Sequence, residues 1–106
     1  MRTSKSRAYQ ESLKEALDDP EEAAAYLNAA LEDGSPAVFL LALKDVANVH
    51  GGVAKVAQAT KLNRESLYRM LSEDGNPTVN SLNALLQSLG LRLAVTANKS
   101  RRKSAA

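Results

Sequence analysis

The sequence predicts an all-α protein: a domain of five helices with an N-terminal helical extension and a short C-terminal β-strand. Three observations point there. The apolar content is dominated by 18 alanines and 16 leucines, with one phenylalanine and no tryptophan, and alanine and leucine form helices far more readily than strands. Apolar residues recur at helical spacing through most of the chain. Start and stop signals divide that pattern into short pieces, with Asp19-Pro20 and Ser35-Pro36 as starts, and Gly51-Gly52 and Gly90 as stops. A chain of 106 residues suits one compact domain.

From Ala8 to Leu17, Tyr9, Leu13, Ala16 and Leu17 fall at i, i+4, i+7 and i+8, one face of a short amphipathic helix. Asp19-Pro20-Glu21-Glu22 then supplies an N-cap acid, a proline at the first helical position and a glutamate where a capping box places it. The helix it starts should run from Pro20 to about Glu32, with Asp33-Gly34 ending it. Ser35-Pro36 repeats the signal. The helix after it carries Val38, Phe39, Leu41, Ala42, Leu43, Val46 and Val49, apolar over much of its circumference as expected of the central element. After Gly51-Gly52 come two short helices, the second from Asn63 to about Ser72. Thr78 can cap a last helix whose Val79, Leu82, Leu85, Leu86 and Leu89 share a face, closing at Gly90.

Leu91, Leu93 and Val95 alternate with Arg92, Ala94 and Thr96 at the period of a half-buried strand. A lone strand leaves its backbone groups unpaired, so Leu91–Ala97 is expected to pair with the same strand of a second copy, giving a homodimer. A sheet edge of another protein is the alternative partner, and an extension lying on the core the alternative structure. The expected organisation is one domain over 1–98, comprising the extension 8–34, the core 35–90 and the dimerisation segment 91–97, followed by a disordered basic tail over 99–106. That tail, Lys99-Ser100-Arg101-Arg102-Lys103-Ser104, has too few apolar groups to pack.

The most informative stretch is 52–90. Along the helix after Asn63, Leu67, Met70 and Leu71 occupy one sector, while Arg64, Glu65, Tyr68, Arg69 and Ser72 fill the opposite one. Leu62 and, on the preceding helix, Val53, Val56 and Ala57 offer apolar partners to the inner sector. The outer sector is left with chemistry suited to duplex DNA. An arginine can grip guanine O6 and N7 with parallel donors, and a glutamate can accept from cytosine N4. Arg64 and Glu65 stand at the helix start, where base edges are reached in a helix-turn-helix, and Arg69 follows one turn later. Tyr68 and Ser72 suit backbone oxygens, which fix register without reading sequence. An exposed helix face is ordinarily charged, and Glu65 with Arg69 at i,i+4 is a common stabilising pair. The neighbouring features tip the reading toward a nucleic-acid reader: Ala57 is small where helices must approach, Asn63 is a good N-cap, and Thr60-Lys61-Leu62 is about as long as the motif's turn.

The run Val56-Ala57-Gln58-Ala59-Thr60-Lys61-Leu62-Asn63-Arg64-Glu65-Ser66-Leu67-Tyr68-Arg69-Met70-Leu71 resembles the Xre/lambda-repressor type of helix-turn-helix. With Ser72-Glu73-Asp74-Gly75-Asn76-Pro77-Thr78 and Leu89-Gly90-Leu91-Arg92-Leu93, it resembles more narrowly the addiction-module antidote proteins, similar to HigA-type antitoxins. The resemblance covers nearly the whole chain. It implies a lambda-repressor-like fold and a type II antitoxin that neutralises a RelE/HigB-like toxin and represses its own operon on operator DNA. The alternative is a free-standing Xre-family repressor without a toxin. Carried over by position, Arg64, Glu65 and Arg69 would read the operator, with Lys55, Thr60 and Tyr68 on phosphate. One departure is Lys61, where many such turns place a glycine; a left-handed backbone there costs another residue roughly 1–2 kcal/mol.

Charge divides along the chain. Residues 8–35 carry 8 acidic and 1 basic side chain, net −7, while residues 53–103 carry 9 basic and 3 acidic, net +6. The basic half would attract phosphate. The acidic half suits a basic protein, and RelE/HigB-type toxins are generally basic; helix capping accounts equally well for Asp19, Glu21 and Glu22. Two copies would reach half-sites roughly 34 Å apart, so the operator should be a near-palindrome.

Zero cysteines exclude a disulfide scaffold, a cysteine-ligated zinc finger and a thiol nucleophile. The absence of a long apolar run and of a signal-peptide core leads to an expectation of no membrane partner and a cytoplasmic protein, nucleoid-associated when on its operator. No catalytic residue, cofactor or metal site is expected. The single histidine, His50, falls at a helix C-terminus, where interaction with exposed carbonyls is its expected role, and no nucleophile, base and orienter can be assembled.

Overall fold

The computed structural model describes residues 11–72 and 74–98. Residues 11–18 form α1, followed by α2 (Pro20–Glu32), α3 (Pro36–Val49), α4 (Val53–Thr60), α5 (Arg64–Met70) and α6 (Val79–Ser88). Tyr9 and the basic tail 99–106 lie outside the described residues.

Each helix starts where local chemistry dictates. Asp19 sits in extended geometry at φ −83° and ψ 124° before Pro20, and its carboxylate accepts from the Glu21 N–H at 3.1 Å. A proline disfavours the helical region for the residue before it, and so α1 and α2 are separate helices. The Asp19 N–H itself donates to the Ala16 carbonyl at 3.3 Å, which occupies the group that the glutamate of a capping box would serve. Ser35, Asn63 and Thr78 cap α3, α5 and α6 in the same way, each accepting from the N–H three residues on. The ends of α3 and α6 are closed by glycines at positive φ. At α6, Gly90 (φ +81°) lets Gly90 N–H reach Gln87 O at 3.1 Å and Leu91 N–H reach Leu86 O at 2.8 Å, the paired bonds of a Schellman end.

All six helices feed one core. Leu17 of α1, Leu43 and Val46 of α3, Leu67 of α5 and Leu85 of α6 are its most deeply buried side chains, with Ala23 and Leu27 of α2 and Val56 and Ala57 of α4 between them. α3 packs on α2 and α4, and α4 also packs on α5 and α6. The axes of α3 and α4 meet at 87° across Gly51-Gly52. Between α2 and α3 the Tyr26 hydroxyl donates to Asp45 Oδ2 at 2.7 Å, tying the N-terminal helices to the centre.

Two sequence expectations are corrected. The described residues hold six helices, not five: α1 and α2 of the N-terminal extension, each marked by its own sequence signals, stand beside the four helices of residues 35–90. No β-strand occurs among them: residues 91–98 carry no regular secondary structure. Alternation shows only that a segment has two faces, whereas a strand also needs a neighbour to take its hydrogen bonds, and no second strand lies among the described residues. Of the alternating residues only Leu91 packs on the core. Leu93 is 43 % exposed and Val95 99 %.

Candidate nucleic-acid interface

The α4–α5 pair is held by a three-residue turn. Lys61 closes α4 in left-handed geometry, φ 62° and ψ 19°, the conformation that glycine would adopt at less cost. Thr60 braces it from both sides: its Oγ1 donates back to Val56 O at 2.9 Å and accepts from Leu62 N–H at 3.2 Å. Asn63 then starts α5, accepting from Ser66 N–H at 3.2 Å. Leu62 is half-buried on the core. With Val53, Val56 and Ala57 buried from α4, and Leu67 and Met70 from α5, the two helices are fixed relative to each other by a shared apolar seam.

That seam leaves Arg64, Glu65, Tyr68 and Arg69 on the exposed side of α5, over an arc of roughly 140°. Arg64 lies over the Tyr68 ring, 5.8 Å from its centroid, within the range of a cation–π contact. The tyrosine, 48 % exposed, therefore supports one of the two guanidiniums that the sequence marks as candidate base readers. Residues four apart on a helix are neighbours, so the Arg64 and Tyr68 spacing held this signal.

The candidate hydroxyls are differently placed. α5 ends at Met70, earlier than the expected Ser72. Ser72 lies in the turn beyond, its Oγ donating to Arg69 O at 2.7 Å. The protons of Thr60 and Ser72 are thus committed to backbone carbonyls of their own chain. Gly75 folds against the end of the helix: a Cβ there would collide with the Met70 carbonyl, so only glycine allows this return.

Lys55 is exposed in the first turn of α4, with its methylenes lying over Gly51. Gly52, at φ +95°, offers α4 no side-chain cap, leaving first-turn N–H groups without the usual side-chain acceptor. At the other side of this junction the C-terminus of α3 is closed by backbone donors, with His50 and Gly52 N–H both reaching Ala47 O at 3.1 Å. The His50 imidazole does not take the role expected of it through Nε2, which is buried and finds no partner among the described residues.

No helix among the described residues is long and apolar enough to cross a membrane by itself, and no group of three or more metal-ligating side chains occurs among them.

Comparison with known proteins extends beyond this pair of helices. The model of one family, described as "Probable addiction module antidote protein", matches residues 8–97. A protein of Haemophilus influenzae, named only "Uncharacterized protein", is 33 % identical over 81 residues, covering 76 % of this chain and 82 % of that one. No solved structure matches the chain significantly. The family match takes in all six helices and the segment after them, and an antidote implies a toxin that it counters. The chain belongs to the family of probable addiction module antidote proteins.

Proposed function

We propose that this antidote both neutralises a RelE/HigB-type toxin and represses its own operon by sequence-specific DNA binding, working in the cytoplasm as a pair of identical chains on a near-palindromic operator. The observation that carries the DNA half is the division of α5, with Leu67 and Met70 buried and Arg64, Glu65 and Arg69 on the open side. In the proposed complex α4–α5 is a helix-turn-helix and α5 lies in the major groove. Arg64 and Arg69 donate to guanine O6 and N7, and Glu65 accepts from cytosine N4. Tyr68 holds the Arg64 guanidinium over its ring before binding, which reduces the side-chain freedom lost on contact. Lys55 and the open N-terminus of α4 face a phosphate. Thr60 and Ser72 serve by holding the turn and the end of α5 rather than by touching the duplex.

The test is operator affinity at fixed salt. Arg64→Ala is expected to weaken specific binding by about 1–3 kcal/mol and to relax preference at one base position, while binding to unrelated duplex changes little. Arg64 is exposed and outside the core, so the variant should fold. Unchanged operator affinity would remove Arg64 from the reading face.

For the toxin half, the supporting observations are family membership and the acidic N-terminal face, where Glu11, Glu15, Asp18, Glu21 and Glu22 are all exposed.

A further inference from the structure

A groove of about 570 Å³ runs along α2. It is lined by Leu27, Leu31 and Glu32 of that helix, by Phe39 of α3, by Leu86 of α6 and by the segment after α6, which contributes Arg92. No residue of α4 or α5 lines it. Leu27 and Leu86 are buried there, whereas Leu31 is 56 % exposed. Packing of the chain on itself accounts for the first two and not for the third.

The charge beside the groove is one-sided. α2 carries Glu21, Glu22 and Glu32 and no lysine or arginine, and the sequence has no basic side chain between Lys14 and Lys44. Glu21 and Glu22 stand at the start of α2, where the helix dipole favours acids. Glu32 and the C-cap Asp33 stand at its other end, where the dipole favours cations. Helix stability therefore explains the first pair and opposes the second. Glu21 falls within about 20° of Glu32 around α2 and about 16 Å along it, so one edge of the helix carries an acid at each end.

We infer that this groove is the docking surface for the toxin, and that it takes a short row of apolar side chains edged by lysine or arginine on the side facing α2. The inference rests on the toxin-neutralising reading above and adds to it the surface. The apolar row covers Leu31 and fills the groove over Leu27, Phe39 and Leu86. The flanking cations meet Glu32 and Asp33, which have no basic residue in the last turn of their own helix. Arg92 lines the groove from the segment after α6, so the toxin's flank on that side is neutral or acidic. The two signs together fix which way round the partner seats.

The test is binding of a RelE/HigB-type toxin by the full chain, measured beside operator titrations. Leu31→Asp is expected to weaken toxin binding by about tenfold or more, as loss of an apolar anchor does. Glu32→Lys separates binding from folding. It places a cation at the negative end of α2, so the thermal midpoint should hold or rise, while toxin association slows and loses part of its salt dependence. Operator affinity should stay within about twofold of wild type in both variants, since neither side chain lies on the helices that carry the phosphate and base contacts. Loss of toxin binding only in step with loss of stability would overturn the inference. If the wild-type chain neutralises the toxin and both variants do so equally well, the docking surface lies elsewhere and the toxin reading stands. If the wild-type chain does not bind the toxin, both fall together. A dimer that Leu31→Asp dissociates, with toxin affinity unchanged, assigns the groove to a second copy and likewise overturns the inference.

Discussion

At the level of single residues the turn between α4 and α5 stores strain in one place. Lys61 is the one non-glycine residue at positive φ among those described, and the left-handed conformation costs such a residue roughly 1–2 kcal/mol. The Thr60 hydroxyl, bonded on both sides of it, and the burial of Val56, Ala57 and Leu67 hold the turn in that conformation. Lys61→Gly removes the strain but adds about 0.5–1 kcal/mol of unfolded-state entropy, so the net gain is about 0–1.5 kcal/mol. Lys61→Ala, which keeps a Cβ, should show no comparable gain. Urea midpoints of the two variants check this; equal midpoints would mean that the turn relaxes without cost. Gly75 is the opposite case, because a Cβ there meets backbone rather than a mobile side chain. Gly75→Ala should destabilise by about 1–3 kcal/mol, as overpacking commonly does, and should shift the end of α5, where Arg69 sits. A stability unchanged within error would show that the loop 74–78 moves aside freely.

Helix starts and stops were the most legible features of the elements, because caps are local events. Asp19-Pro20, Ser35-Pro36, Asn63 and Thr78 each work within three residues of themselves. The two faces of α5 could be read for the same reason, since angular position follows from spacing alone. Properties that depend on distant partners could not be read. The segment 91–97 has the alternation of a strand, but whether a ladder forms depends on a neighbour that the pattern does not encode. Ser72 has the position of a phosphate contact, but its hydroxyl turns to the Arg69 carbonyl, a local competition that spacing does not settle. The place of α1 and α2 was hidden too, because Leu17 and Leu27 join Leu43 and Leu85 in the core only through long-range packing. These two helices therefore cannot be removed as an appendage. A chain shortened to begin at Ser35 loses Leu17, Ala23, Leu27, Ala30 and the Tyr26–Asp45 bond together. Each large-to-small core loss alone costs about 2–5 kcal/mol against a total stability of about 5–15 kcal/mol, so the shortened chain should show no cooperative unfolding transition by circular dichroism. A normal transition would place α3–α6 as a self-sufficient core.

On the scale of the whole molecule, charge divides along the sequence, with net −7 over residues 8–35 and net +6 over residues 53–103. The proposed double role, with a basic protein and a polyanion as partners, favours keeping the two signs apart, because screening at physiological salt acts over about 8 Å and a mixed surface would repel each partner in part. The acids of α1 allow the division to be tested without disturbing a cap or the core. Glu11 and Glu15 are both exposed on α1, one turn apart and ahead of the helix-starting Asp19. In the proposed complex they steer the toxin, so Glu11→Lys with Glu15→Lys should slow toxin association and make the rate less sensitive to salt, the usual mark of weakened electrostatic steering. Operator affinity should stay within about twofold of wild type, since the reading helix and its phosphate contacts are untouched. Association rates over a salt series, measured beside operator titrations, separate the outcomes. An unchanged toxin rate would move the docking surface off α1, and a large loss of operator affinity would show that the two fields are not independent.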